Sequence, residues 1–336
     1  MRPRFVFIFL FLLSMFGASA LQHATAMEVF HFTVIGQHGA EDDTSLIESL
    51  KHADAVKASF TVLNGVRPTQ ESCQDAVYQR RSQLIAQAIT PVIVSLTAGD
   101  WSLCRNSAKR SMAQNRLGFV RELFFEKNLA QHVRHLPVVQ QSSAAMFRPY
   151  SENMRWEVNG ILFATMNLPS NNNHYLSAAG RNNEFEDRLI ANRHWLRRIA
   201  SHARSRKMKA IVLFVDANPM IAPARGKQKT PRDGYREMRR QLSLLTTQFS
   251  GRVLIVHGQR SASGIVWRRN VGMLGVGGKK GLDVTVKPGK TVQFSLVRLK
   301  PVDVAEAPRE TQAEAAGRDA AGQDATGTTS DIPVKP

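Results

Sequence analysis

A chain of 336 residues with 43% apolar content is long enough for one large or two ordinary domains and can bury a substantial core. A formal net charge of +18 marks phosphate, nucleic acid and anionic lipid as the ligands its surface would attract, unless it serves only to keep an exported protein soluble. Beyond the N-terminus no apolar segment approaches the length of a membrane-spanning helix, so no transmembrane helix is expected there.

At the N-terminus, Arg2 and Arg4 precede the apolar stretch Phe5 to Phe16, and Ala18-Ser19-Ala20 supplies small residues for cleavage. The run is shorter than the roughly 20 residues needed to cross a bilayer, so residues 1–20 are expected to be a signal peptide rather than an anchor. Ala24-Thr25-Ala26 is a second cleavage candidate. The expected location is periplasmic or secreted, an oxidising compartment in which Cys73 and Cys104, without CxxC spacing or His at finger spacing, suit a single disulfide better than a metal site.

From Met27 to about Lys300 apolar runs alternate with amphipathic segments, the pattern of a mixed α/β domain. Buried strands are predicted at Val29 to Ile35, Phe60 to Val66, Val92 to Thr97, Ala210 to Val215 and Val253 to His257. Helices are predicted from Asp43-Thr44 through Lys51 and over Gln74 to Ala88, Arg116 to Glu126 and Glu184 to Arg206. Asn159-Gly160 between Arg155–Val158 and Ile161–Thr165 is a strong signal for a two-residue hairpin, so the sheet is not purely parallel. A second hairpin is predicted around Lys287-Pro288-Gly289-Lys290, and a Gly-rich hairpin in LGVGGKKG. Basic residues crowd Arg197 to Lys209, Arg225 to Arg240 and Arg260 to Lys280. Residues 301–336 hold seven acids and three bases and almost no large apolar side chain, as expected of a disordered tail.

Several stretches together resemble the calcineurin-like metallophosphoesterase superfamily, in particular exported bacterial members: FTVIG, ESCQDAVYQRRSQLIAQAITPVIVSLTAGDW, RLGFVRELFF, YSENMRWEVNGILFATMNLPSNNN and VLIVHG. The resemblance implies an α/β fold over residues 27–300, a four-layer α/β/β/α sandwich with mixed sheets, and implies that Cys73 and Cys104 approach each other. It also implies a metal-dependent phosphoesterase. Two ions sharing a site need carboxylates to offset their charge and imidazoles to fix geometry.

The ligand positions depart from that pattern. The acid expected after the first strand is Gln37, an amide that brings no negative charge. The second motif reads Leu63-Asn64-Gly65-Val66-Arg67, with no carboxylate between Asp54 and Glu71 and with Arg67 as a like charge. The third survives as Gly99-Asp100-Trp101, and the last, Val256-His257-Gly258-Gln259-Arg260-Ser261, has one His before the Gly and none after. These substitutions lead to the expectation of a pseudoenzyme: an exported binding or structural module without its binuclear centre and with no cofactor.

The degenerate-site candidates are Gln37, His38, Asn64, Asp100, Asn167, Asp216 and His257. His38, Asp100, Asp216 and His257 could instead build a site for one divalent ion in a divergent phosphoesterase. Asp100 and Asp216 have the structural alternative of capping backbone amides, and His257 that of a satisfied buried histidine. Asn167 and Asn171-Asn172-Asn173 could line the old cleft or be turns. No Gly-X-Ser-X-Gly elbow supports Ser102, Ser170 or Ser261 as a nucleophile. The partners expected are a phosphorylated or anionic ligand in the old cleft or an anionic envelope component on the basic surface, with nucleic acid disfavoured.

Overall fold

In the computed structural model the described residues are 28–36, 43–176, 182–221, 232–260, 264–278 and 281–298. Residues 1–27, the expected signal peptide among them, and Gln37, His38 and the segment 301–336 lie outside them. The elements run β1 (Phe30–Gly36), α1 (Thr44–Ala55), β2 (Thr61–Asn64), α2 (Asp75–Gln87), β3 (Val92–Ser95), α3 (Ala113–Val120), α4 (Leu129–Val133), β4 (Val139–Gln140), β5 (Met154–Val158) and β6 (Ile161–Thr165). They continue with α5 (Asn183–Ser205), β7 (Ala210–Val215), α6 (Arg236–Gln248), β8 (Arg252–His257), β9 (Val266–Arg268), β10 (Val271–Gly275), β11 (Leu282–Lys287) and β12 (Gln293–Arg298).

Two mixed sheets result. The first has the order β12-β11-β1-β2-β3, with β1, β2 and β3 parallel and β11 and β12 antiparallel. The second has the order β4-β5-β6-β7-β8-β10-β9, parallel from β6 to β10 and antiparallel at both edges. The parallel neighbours from β1 to β3 and from β6 to β8 are connected through helices, whereas β8 reaches its parallel partner β10 through β9.

Side-chain alternation along each strand divides the apolar residues between two cores. On β6, β7 and β8, Phe163, Val212, Phe214, Leu254 and Val256 face the first sheet, while Leu162, Ile211, Leu213, Val253 and Ile255 face α5 and α6. Five rings seal the intersheet layer. Phe32 stacks on Phe60 at 5.1 Å, Phe60 meets the edge of Phe163 at 4.8 Å, and Trp156 stacks on Phe214 at 5.9 Å. On the outer face of the first sheet, Thr33 donates to Asp283 and His52 of α1 bonds the same carboxylate at 2.9 Å. The result is the four-layer α/β/β/α sandwich, consistent with the phosphoesterase-like arrangement expected above.

Three local expectations differ from the structure. The helix predicted over Arg116 to Glu126 is α3 followed by a π-helical turn from Arg121 to Lys127. Adjacent Phe124 and Phe125 are both buried in that turn. The Gly-rich segment after β10 is not a hairpin: β10 pairs with β8 and β9, whereas β11 pairs with β1, so the chain crosses between sheets. Gly277 permits the crossing, because a Cβ there would lie 2.4 Å from the Gly258 carbonyl oxygen. The β9–β10 hairpin, joined through Arg269 and Asn270, escaped the sequence reading; Arg269 has φ of 55° and takes the left-handed position without a Gly to signal it.

Cys73 and Cys104 form a disulfide that ties the segment before α2 to the loop after β3. It closes a loop of 31 residues, for which chain entropy gives about 3 to 4 kcal/mol. Non-reduced native protein should therefore titrate with no free thiol, and Cys73→Ser should lower the unfolding free energy by about that amount in guanidinium; an unchanged midpoint would show that the bridge constrains nothing.

Candidate functional site

The residues singled out from the sequence gather at the carboxyl ends of the parallel strands of both sheets. Asn64 ends β2, Asp100 follows β3, Asn167 follows β6, Asp216 follows β7 and His257 ends β8. Strand ends are where α/β enzymes place chemistry, because the strand is rigid and the loop after it is free to vary.

Asp100 is wholly enclosed, and its four acceptor positions are occupied. One oxygen accepts from the amides of Val66 and Arg67 at 2.9 and 3.0 Å, the other from the amide and hydroxyl of Thr97 at 2.7 and 3.1 Å. Gly65, with φ of +88°, turns the chain so that both successive amides reach one oxygen. Arg67 is itself buried, and its guanidinium donates to the carbonyls of Pro68, Thr69, Glu71 and Gly99. Burial pushes the Asp100 carboxyl up to about 6, while these amides and the charge of Arg67 pull it down.

Asp216 joins the two sheets. Its Oδ2 accepts from the amide of Ala98, after β3, and from that of Ser170, after β6, each at 2.7 Å. Its own carbonyl accepts from Gly258 at 3.0 Å. Burial raises its carboxyl above the usual range against those two amides. Asn64 adds a second tie, donating to the Val215 carbonyl at 3.0 Å. His257 is buried, with Nε2 3.3 Å from Asn218 Nδ2. Asn167 donates to Glu152 at 2.9 Å, and Glu152 is held by Arg121 through two bonds.

Among the described residues the donor set does not fit a binuclear centre. A metal ligand must turn a lone pair toward the ion, and Asp100 has all of its own committed to the protein, while Asp216 has one oxygen committed twice. Among the described residues no group of three or more His, Cys, Asp or Glu is placed to hold an ion.

A buried polar network beside these strand ends was not foreseen. Arg188, fully buried on α5, bonds Glu184 at 2.6 Å, the carbonyl of Asn173 at 2.8 Å and the side chain of Asn173. Glu184 also accepts from His174 at 2.9 Å; burial would raise its carboxyl, but Arg188 and His174 hold it down at about 2. Trp101, fully buried, meets His174 edge-on at 4.9 Å with Arg188 at 5.5 Å from its ring. Asn172, Asn173 and His174 all take positive φ, from 52° to 56°, and Asn173 Nδ2 donates to Gly234 O at 2.9 Å. The Asn run is thus a left-handed turn locked onto the segment before α6. The sequence signal was the spacing of Glu184, Arg188 and Asn192, one charged or amide side chain per turn on the face of α5 that points inward.

Neither a family model nor a curated protein matches the chain. Among solved structures it is similar to a Staphylococcus aureus protein provisionally described as a 5'-nucleotidase, crystallised with α-ketoglutarate, at 11% identity and a TM-score of 0.43. That alignment covers 81% of this chain and 54% of the other, so the chain spans about half the length of that structure.

The Asp100 geometry has a pH signature. Its folded-state pKa is raised, so its contribution favours the folded state fully below the usual value near 3.8 and is lost as pH rises through about 6. Asp100→Asn, neutral at every pH, should therefore lose most stability relative to the unmodified protein at low pH, and the gap should narrow by about 2 kcal/mol between pH 4 and pH 7. A gap that widens with pH, measured by denaturant unfolding at both values, would mean that the donors outweigh burial.

Proposed function

We propose that this chain is an exported protein of the phosphoesterase type in fold that lacks binuclear metal chemistry and works as a binding or structural module. The observation that carries the reading is the use of Asp100 and Asp216 as acceptors for backbone amides that join the strand-end loops. An acid used in this way holds its loops shut without an ion. Gln37 and Val66, standing where the resemblance calls for acids, agree with it. Any ligand of the old cleft is anionic, in keeping with the excess of Arg and Lys.

The rival reading, a divergent phosphoesterase with one ion, draws on two observations: Asn64 Oδ1 and Asn167 Oδ1 are buried acceptors that receive no hydrogen bond from the described residues, and oxygens converge beside Gly258. Asn64 Oδ1 and Asp216 Oδ1 each lie 2.8 Å from where a Cβ on Gly258 would sit, so two oxygens converge on one glycine. Two oxygens, one of them neutral, are a thin site for a divalent cation, which takes six or more ligands when hard and four when zinc.

Elemental analysis of the purified mature protein separates the two. The module reading expects metal well below one equivalent per chain and no hydrolysis of p-nitrophenyl phosphate or its diester with added Mn2+ or Zn2+. One tightly held equivalent, with hydrolysis abolished by a chelator, would replace it by the enzyme reading. Export is tested separately: N-terminal sequencing of protein from the natural host should begin after Ala20 or Ala26, and an intact Met1 would remove export from the proposal.

A further inference from the structure

Helices α5 and α6 lie side by side on the outer face of the second sheet, their apolar faces packed into the core beneath. They run in the same direction, since each leads into one of two adjacent parallel strands. Toward their N-terminal ends they leave a groove of about 630 Å3 lined by Leu189, Ile190, Arg193, Arg232, Arg236 and Arg240. The two carboxylates lining the groove are already engaged: Asp233 holds Arg239, and Glu237 accepts from Gln241 at 2.8 Å and lies 3.7 Å from Arg240. Glu186 and Asp187 stand exposed on the first turns of α5. Arg193 and Arg236 have no carboxylate partner among the described residues, and Arg232 rests over the ring of Tyr175 at 5.5 Å. The solvent side of α5 continues the basic stripe with exposed Arg197 and Arg204.

Cations are only half of this face. Ile190 on α5 is 49% exposed and Leu244 on α6 is 43% exposed, so aliphatic side chains stand in water among the guanidinium groups. A soluble polyanion would pair with the arginines and leave these side chains hydrated. A layer of anionic headgroups over hydrocarbon satisfies both, because guanidinium forks the phosphate while the aliphatic groups enter the acyl boundary.

We propose that the α5–α6 face is a docking surface for an anionic lipid membrane, with the arginines of the groove on the lipid phosphates and Ile190 and Leu244 reaching the acyl boundary. The docking surface lies outside the strand-end site and stands or falls apart from the loss of metal chemistry.

The test is cosedimentation of the full chain with vesicles of phosphatidylglycerol in phosphatidylcholine, against pure phosphatidylcholine. Binding is expected for the anionic vesicles alone and should fall steeply from 50 to 200 mM salt. Each Arg near such a surface is worth about fivefold in affinity, so R193Q/R236Q/R240Q should bind about 100-fold more weakly. A charge-matched control on other elements, R105Q/R110Q/R269Q, should stay within about threefold of the unmodified protein. I190S/L244S, which keeps every charge, should lose about tenfold. Should the triple variant melt early, R236Q alone should still lose about fivefold. Equal losses in the groove and control variants would overturn the proposal in favour of a diffuse charge effect. Failure to bind anionic vesicles at 50 mM salt, or tighter binding to inorganic polyphosphate that I190S/L244S leaves unchanged, would overturn it as well.

Discussion

One carboxylate connects the two halves of this sandwich at the end where chemistry would be expected. Asp216, at the end of β7 in the second sheet, accepts from Ala98 after β3 of the first and from Ser170 after β6 of its own. Each is a hydrogen bond from a backbone amide to a carboxylate, the stronger class of such bonds; Ala98 is buried and Ser170 half-buried. Around this contact the other strand-end groups act in the same sense. Asn64 reaches across to the Val215 carbonyl, and Asp100 closes its own loop onto the turn after β2.

The neighbouring network extends the closure. Arg188 and Glu184 of α5 hold the left-handed Asn172 to His174 turn, and Trp101 packs on that turn from the first sheet's side. Trp101, Asn173 and Arg188 are fully enclosed. A buried polar network of this kind fixes one arrangement of its loops, since any member left unpaired costs the desolvation of its partner. Such closure leaves the helical face, where Arg193 and Arg236 have no carboxylate partner among the described residues, as the more open basic surface.

The fold was readable from the sequence wherever periodicity was strong. β7 was placed residue for residue, because AIVLFV is buried on both faces between α5 and the first sheet and admits no other assignment. The Asn159-Gly160 turn was equally plain, with both residues at positive φ as the two-residue hairpin needs. Where the sequence misled, tertiary context decided. The glycines of LGVGGKKG allow a crossing between sheets as readily as a hairpin, and only the pairing of β11 with β1 chooses. The strand-end positions were found by their order along the chain, yet their roles were not. Composition shows an Asp at 100 and at 216, but not which backbone amides face its oxygens. The Arg188 network was hidden for a related reason: the helical spacing of Glu184 and Arg188 equally describes a solvated surface pair, and it takes the packing of α5 to show that this face is inside.

The tether role of Asp216 is tested most directly by thermal unfolding of the unmodified protein and of Asp216→Ala, each with a chelator and with millimolar Mn2+. Loss of the acceptor strands the buried Ala98 amide and the half-buried Ser170 amide, which should lower the melting temperature by about 10 °C. If the acid is a tether, that loss is the same in both solutions, and the unmodified protein melts at one temperature with or without the ion. If Mn2+ instead raises the melting temperature of the unmodified protein by several degrees and leaves Asp216→Ala unmoved, the carboxylate is a metal ligand and the closed, metal-independent site described here is wrong.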